Sequence, residues 1–130
     1  MTKNKQTIPS SELVQLIVAG MKEKKAKDVV ILDLRHISKS IADYFVIATG
    51  NVDTHVDAIQ NSVRKTVHEN HQERPWHIEG TENSQWVLLD YVDVVAHVFM
   101  ESKRSFYQLE DLWGDAHIIK VPENKAVALA

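Results

Sequence analysis

Apolar positions along the chain follow two rhythms. Leu13, Leu16, Ile17 and Met21 recur at helical spacing, as do Val56, Ile59, Val63 and Val67, so each segment predicts an amphipathic helix with one stripe turned to a core. Between and after them stand short blocks of β-branched and aromatic residues: VVILDL after Asp28, Asp43 to Ala48, Trp76 to Glu79, Trp86 to Tyr91 and Val94 to Phe99. Such blocks predict strands. The last two are separated only by Val92-Asp93, which makes them neighbouring strands of a hairpin at the centre of a sheet. Side chains alternate across a strand, so Trp86, Leu88 and Asp90 share one face while Val87, Leu89 and Tyr91 share the other.

Capping chemistry sets the expected boundaries. Ser10, after Pro9, is placed to cap the first helix, with Glu12 in its first turn and the cations of Lys22 to Lys27 at its carboxyl end, where the helix dipole favours them. Asp53 or Thr54 is placed to cap the second helix, and Arg74-Pro75 to end it. That helix joins the second strand to the third and is expected to pack on the sheet as a crossover, the signature of an α/β fold. The segment His36 to Ala42 has no clear period and reads as loop, and Thr49-Gly50-Asn51 permits a tight turn. Phe106, Leu109 and Leu112-Trp113 predict a last helical piece stopped by Gly114. Residues 1–116 then form a single domain, and 117–130, with Pro122 and few bulky side chains after Val121, a C-terminal tail expected to be at least partly mobile.

Composition narrows the chemistry. With 130 residues and 44% hydrophobic content the chain suits one domain with one core. A formal charge of -3 provides no general basic field for bare nucleic acid. The chain has no cysteine, which excludes disulfides, thiolate metal sites and a cysteine nucleophile. No apolar run approaches the roughly 20 residues of a membrane span, so a cytoplasmic protein is expected.

Candidate reaction centres are few. The turn after the second strand holds one glycine and neither phosphate-loop spacing. His68 and His71 lie three apart near a helix end with no carboxylate or cysteine at ligand spacing, which suits surface residues better than a metal pair. Asp90, Asp93 and His97 form the one crowded polar group. Nucleotidyl transfer through a divalent metal needs two carboxylates converging on it, commonly Asp-x-Asp on a strand; here the spacing is three, across a turn. His97 shares its strand face with Val95 and Phe99, the pattern of a packing histidine. A binding surface asks less of these residues. Glu79, Glu82, Asp90 and Asp93 cluster around Trp86, so the hairpin can present an aromatic anchor with an acidic rim suited to a basic partner. Periodicity alone is equally consistent with Trp86 as core.

The segments DVVILDLR, ADYFVIATG, Glu79-Gly80, WVLLDYVDVVAHVF and RSFYQLEDLWGDA, in this order over residues 28 to 116, resemble the ribosomal silencing factor family, the Iojap-related proteins. The resemblance implies a mixed β-sheet flanked by helices, similar to nucleotidyltransferases but without their catalytic residues, no enzymatic activity and no cofactor. It implies a protein that binds the large ribosomal subunit through ribosomal protein L-fourteen, sterically blocks subunit joining and lowers translation when nutrients are scarce. By motif match, Trp86, Leu88, Asp90, Tyr91 and Asp93 lie on or beside the contact. The resemblance also allows limited contact with ribosomal RNA and a homodimer when no ribosome is bound. One departure stands out: relatives often carry a serine and an arginine where this chain has Asn51-Val52-Asp53-Thr54-His55. The alternative class is a metal-dependent nucleotide-handling enzyme using Asp90 and Asp93.

Overall fold

The two long helices and five of the six strands follow from these patterns in a computed structural model that describes residues 8–37, 40–104 and 116–122. Helix α1 (Ser10–Glu23) precedes β1 (Lys27–Asp33) and β2 (Tyr44–Gly50), and α2 (Asp53–His71) leads to β3 (His77–Glu79), β4 (Trp86–Asp90) and β5 (Val94–Met100). The one-turn helix α3 (Glu101–Arg104) and strand β6 (His117–Lys120) complete the described chain. The strands form one sheet in the order β3-β4-β5-β2-β1-β6. Only β2 and β5 run parallel; the remaining neighbours are antiparallel, so the sheet is mixed. The central strand β2 is buried along its whole length, as expected for a parallel partner covered on both sides.

Strand alternation divides the core in two. Leu13, Ile17 and Met21 of α1 and Val56, Ile59, Val63 and Val67 of α2 pack on Ile31, Val46, Val87, Leu89, Ala96 and Val98, forming the helix side of the sheet. Leu32, Phe45, Ile47, Val95 and Phe99 face the opposite way, with Trp86 and Leu88 packed against them. The predicted α2 stripe is fully internal, each of its residues showing no exposed surface, and the α1 stripe is buried at Leu13, Ile17 and Met21 with Leu16 partly exposed at its margin. The helices meet at Gly20, where an added Cβ would lie 2.7 Å from the Val63 Cα, and the Ser62 hydroxyl donates to the Gly20 carbonyl at 2.7 Å. A side chain at Gly20 would push the helices apart.

Several boundaries differ from expectation. Ser10 is the first residue of α1 rather than its cap; Pro9 holds that position and no side chain caps the helix. Val52, likewise without a capping side chain, precedes α2, and Asp53 accepts from the Thr54 amide at 2.8 Å instead. The second helix ends before Arg74-Pro75, at His71, because Gln72 turns left-handed (φ 56°) and donates its amide to the His68 carbonyl. Strand β4 ends at Asp90, leaving Tyr91 in the turn. Beyond residue 116 the sheet continues: His117–Lys120 pairs antiparallel with β1, Ile119 opposite Ile31. This edge strand eluded the periodicity because it is short and mostly exposed, and its β1 backbone partner is distant in sequence. The predicted helical piece from Phe106 to Trp113 and residues 123–130 lie outside the described residues.

Candidate functional site

The hairpin positions the aromatic that the pattern singled out. Val87 and Leu89 are sealed on the helix side, which turns Trp86, Leu88 and Asp90 to the opposite face, each partly exposed. Across the ladder Trp86 stands opposite Phe99, Leu88 opposite His97 and Asp90 opposite Val95. The indole stacks on Phe99 with ring centroids 5.1 Å apart, and its Nε1–H donates to His97 Nδ1 at 3.1 Å. Its orientation is therefore set by two contacts. On the outer side β3 adds Glu79 opposite Leu88 and His77 opposite Asp90, and these two exposed side chains pair at 2.7 Å. Gly80 makes this edge feasible: at φ 88° an added Cβ would fall 1.9 Å from the Trp86 carbonyl oxygen.

His97 is 3% exposed and surrounded by rings, with Phe45 edge-on at 4.9 Å. Burial lowers its pKa to about 3, so the imidazole is neutral at physiological pH. Because Nδ1 accepts the indole proton, the ring carries its own proton on Nε2, which is buried without a hydrogen-bond partner. The result matches a packing histidine.

The expected site residues are only partly assembled. Trp86, Leu88 and Asp90 share one face. Asp93 is exposed in the β4–β5 turn, where its carbonyl accepts the Asp43 and Tyr44 amides. Tyr91 is on the helix side, 7% exposed, its hydroxyl unpartnered and its ionisation pushed well above the usual range by burial. Asp90 Oδ1 accepts the Val92 amide at 2.7 Å, bracing the turn. Among the described residues no group of three or more histidines or carboxylates could hold a metal, and His68 and His71 are no exception. His71 instead approaches Glu12 at 3.9 Å. In the segment Asn51 to His55, His55 accepts the Asn51 amide at 2.8 Å on Nδ1 and places Nε2 2.7 Å from the Lys24 carbonyl, tying the end of α1 to the start of α2.

Sequence reasoning missed Trp76. It reads as the first residue of a strand, yet lies just outside β3 with 80% of its surface exposed. Its neighbour Pro75, which removes a ladder donor, was the available signal of a strand start at a sheet edge.

Fold and patch together define an α/β domain with a mixed sheet that presents an oriented aromatic surface. The family model described as "Ribosomal silencing factor during starvation" matches residues 7–129. A ribosomal silencing factor RsfS from Halalkalibacterium halodurans is 43% identical over 112 residues, covering 86% of this chain and 94% of its own length. That of Bacillus subtilis is 41% identical over 104 residues, 80% of this chain and 86% of its own. A crystal structure of a Chromobacterium violaceum protein superposes with a TM-score of 0.77 at 33% identity, over 82% of this chain and 88% of that one. The chain belongs to the ribosomal silencing factor family.

Proposed function

We propose that this protein is a non-catalytic, cytoplasmic translation repressor. It binds the large ribosomal subunit through ribosomal protein L-fourteen, and by occupying that surface it blocks subunit joining when nutrients are scarce. Family membership supports the ribosomal assignment. The observation that carries the surface assignment is Trp86: a partly exposed indole, oriented by Phe99 and His97, beside Leu88 and rimmed by Asp90 and Glu79. Oriented aromatics at the centre of a patch carry most of the energy of an interface, and carboxylate rims select basic partners. Asp93 belongs to that rim, whereas Tyr91 supports the hairpin from the other side of the sheet. The action is steric, so no cofactor enters it, and self-association in the absence of ribosomes would use the same apolar patch.

Co-sedimentation with isolated large subunits tests this reading. Loss of the Trp86 anchor is expected to cost about 2 kcal/mol or more, roughly a thirtyfold weaker complex, and to relieve the block on subunit joining. Trp86→Ala also removes a ring that packs on Phe99. Asp93→Lys, at an exposed position, therefore provides a second variant, expected to bind several-fold more weakly through charge repulsion. Wild-type affinity in both folded variants would overturn the assignment. Saturable calorimetric heat with nucleotide and magnesium, lost in Asp90→Asn, would instead favour an enzyme.

A further inference from the structure

The helix side of the same sheet edge has the opposite character. A groove of about 390 Å³ between the second half of α2 and β3 is lined by Arg64, Lys65, His68 and Arg74, with one carboxylate, Glu73. Ile78 also lines it and packs against the helix-side core, so the groove and the Trp86 patch lie on opposite faces of the sheet. In a chain of net charge -3 this concentration of cations is local. Lys65 and Arg74 are exposed, and Arg64, half-buried beneath, is close enough to Tyr91 to favour its phenolate.

Next to this groove stands Trp76. It follows Pro75, which lines the groove, and consecutive α-carbons are only about 3.8 Å apart. Its amide donates to the Asp90 carbonyl at 2.7 Å, so the backbone that carries the indole is fixed to the end of β4. An 80% exposed tryptophan contributes almost nothing to the core. An exposed indole on an anchored backbone beside a short cationic track matches the two elements by which proteins hold single-stranded nucleic acid: cations along the phosphates and a ring on which a base stacks.

We propose that Arg64, Lys65 and Arg74 together with Trp76 form a binding site for single-stranded RNA, with phosphates in the groove and an unpaired base on the indole. An acidic peptide would satisfy the cations and leave the exposed aromatic plane without a role. The site is separate from the contact proposed for Trp86 and does not depend on it. The basic run at the end of α1 is the poorer candidate, since Lys27 is paired with Glu101 at 3.4 Å.

The test is fluorescence anisotropy of a short fluorescein-labelled oligoadenylate with the full chain over a salt series. Three cations on a single strand predict a slope of about -2 in log affinity against log salt concentration. Trp76→Ala is expected to weaken binding about tenfold or more. Arg74→Ala should reduce the slope by about 0.7. Both positions are exposed, so both variants should fold as the wild type does. Trp86→Ala should bind the oligonucleotide normally while losing large subunits, which separates failure of this site from failure of the other. Absence of oligoadenylate binding at low salt would overturn the proposal. So would unchanged affinity in both groove variants, or equal binding of a labelled oligoglutamate, which would assign the groove to an acidic protein.

Discussion

At the scale of single residues, His97 links the surface patch to the core. Its neutral ring accepts the Trp86 proton and stands edge-on to Phe45, so the indole is oriented by a group that cannot charge without disrupting the packing. The consequence for pH has a definite sign. Burial lowers the folded pKa to about 3, against roughly 6.5 in the unfolded chain. The unfolded state therefore takes up a proton that the folded state refuses. The stability His97 contributes is complete above about pH 6.5, and it declines toward pH 3 by about 1.4 kcal/mol for each pH unit. Urea unfolding at pH 7 and at pH 5 should show this loss in the wild type, and His97→Gln should show less of it. An equal loss in both proteins would mean that other groups carry the acid sensitivity. The packing role of His97 was legible in its sequence neighbours Val95 and Phe99. Its bond to Trp86 was not, because partners eleven residues apart meet only through the ladder.

At the scale of elements, the β4–β5 connection is the feature that propensity opposes. Val92 has φ 77°, and the Asp93 amide donates to the Tyr91 carbonyl at 3.0 Å, closing a γ-turn around a β-branched residue. Its side chain is 54% exposed, so little packing offsets the strain. Two bonds hold the turn in place: Asp90 Oδ1 accepts the Val92 amide, and the Tyr91 amide donates to the Val94 carbonyl. A non-glycine residue in this region costs on the order of 1–3 kcal/mol, of which the greater unfolded freedom of glycine cancels a part. Val92→Gly is thus expected to stabilise the domain by about 1 kcal/mol, near 4 °C in thermal unfolding. A lower melting temperature would show that the valine is supported by contacts outside the turn. Both hairpin strands were legible because each combines β-branched residues with alternation. Helix ends were legible only roughly. Ser10 and Asp53 have the right chemistry for caps, but each lies one residue inside its helix, and the first amides bond to the carbonyls of Pro9 and Val52 instead.

At the scale of the whole molecule, one sheet edge bears two surfaces of opposite charge, the acidic aromatic patch of Trp86 on one side and the cationic groove near Trp76 on the other. Sites on opposite faces that share no partners act independently. In large-subunit binding, the double variant Trp76→Ala/Trp86→Ala should lose the sum of the two single losses to within about 0.5 kcal/mol. A markedly smaller loss, measured by co-sedimentation, would place both indoles on one contact.

The sequence by itself determined the two helical stripes, the internal strands and the face on which each hairpin residue lies, because these depend on periods of 3.6 and 2 that are local to the chain. It also carried the family motifs, which the matching of residues 7–129 extends over nearly all the chain. Only the tertiary structure decided which of Trp76 and Trp86 is the more displayed. Trp76 and Trp86 both head predicted strands, yet Trp86 is stacked against Phe99 and Trp76 is left outside an edge strand. The sixth strand and the gathering of Arg64, Lys65 and Arg74 around one groove were likewise settled by the fold. Exposure and charge clustering depend on which distant segments pair across the sheet, and no local period encodes that pairing.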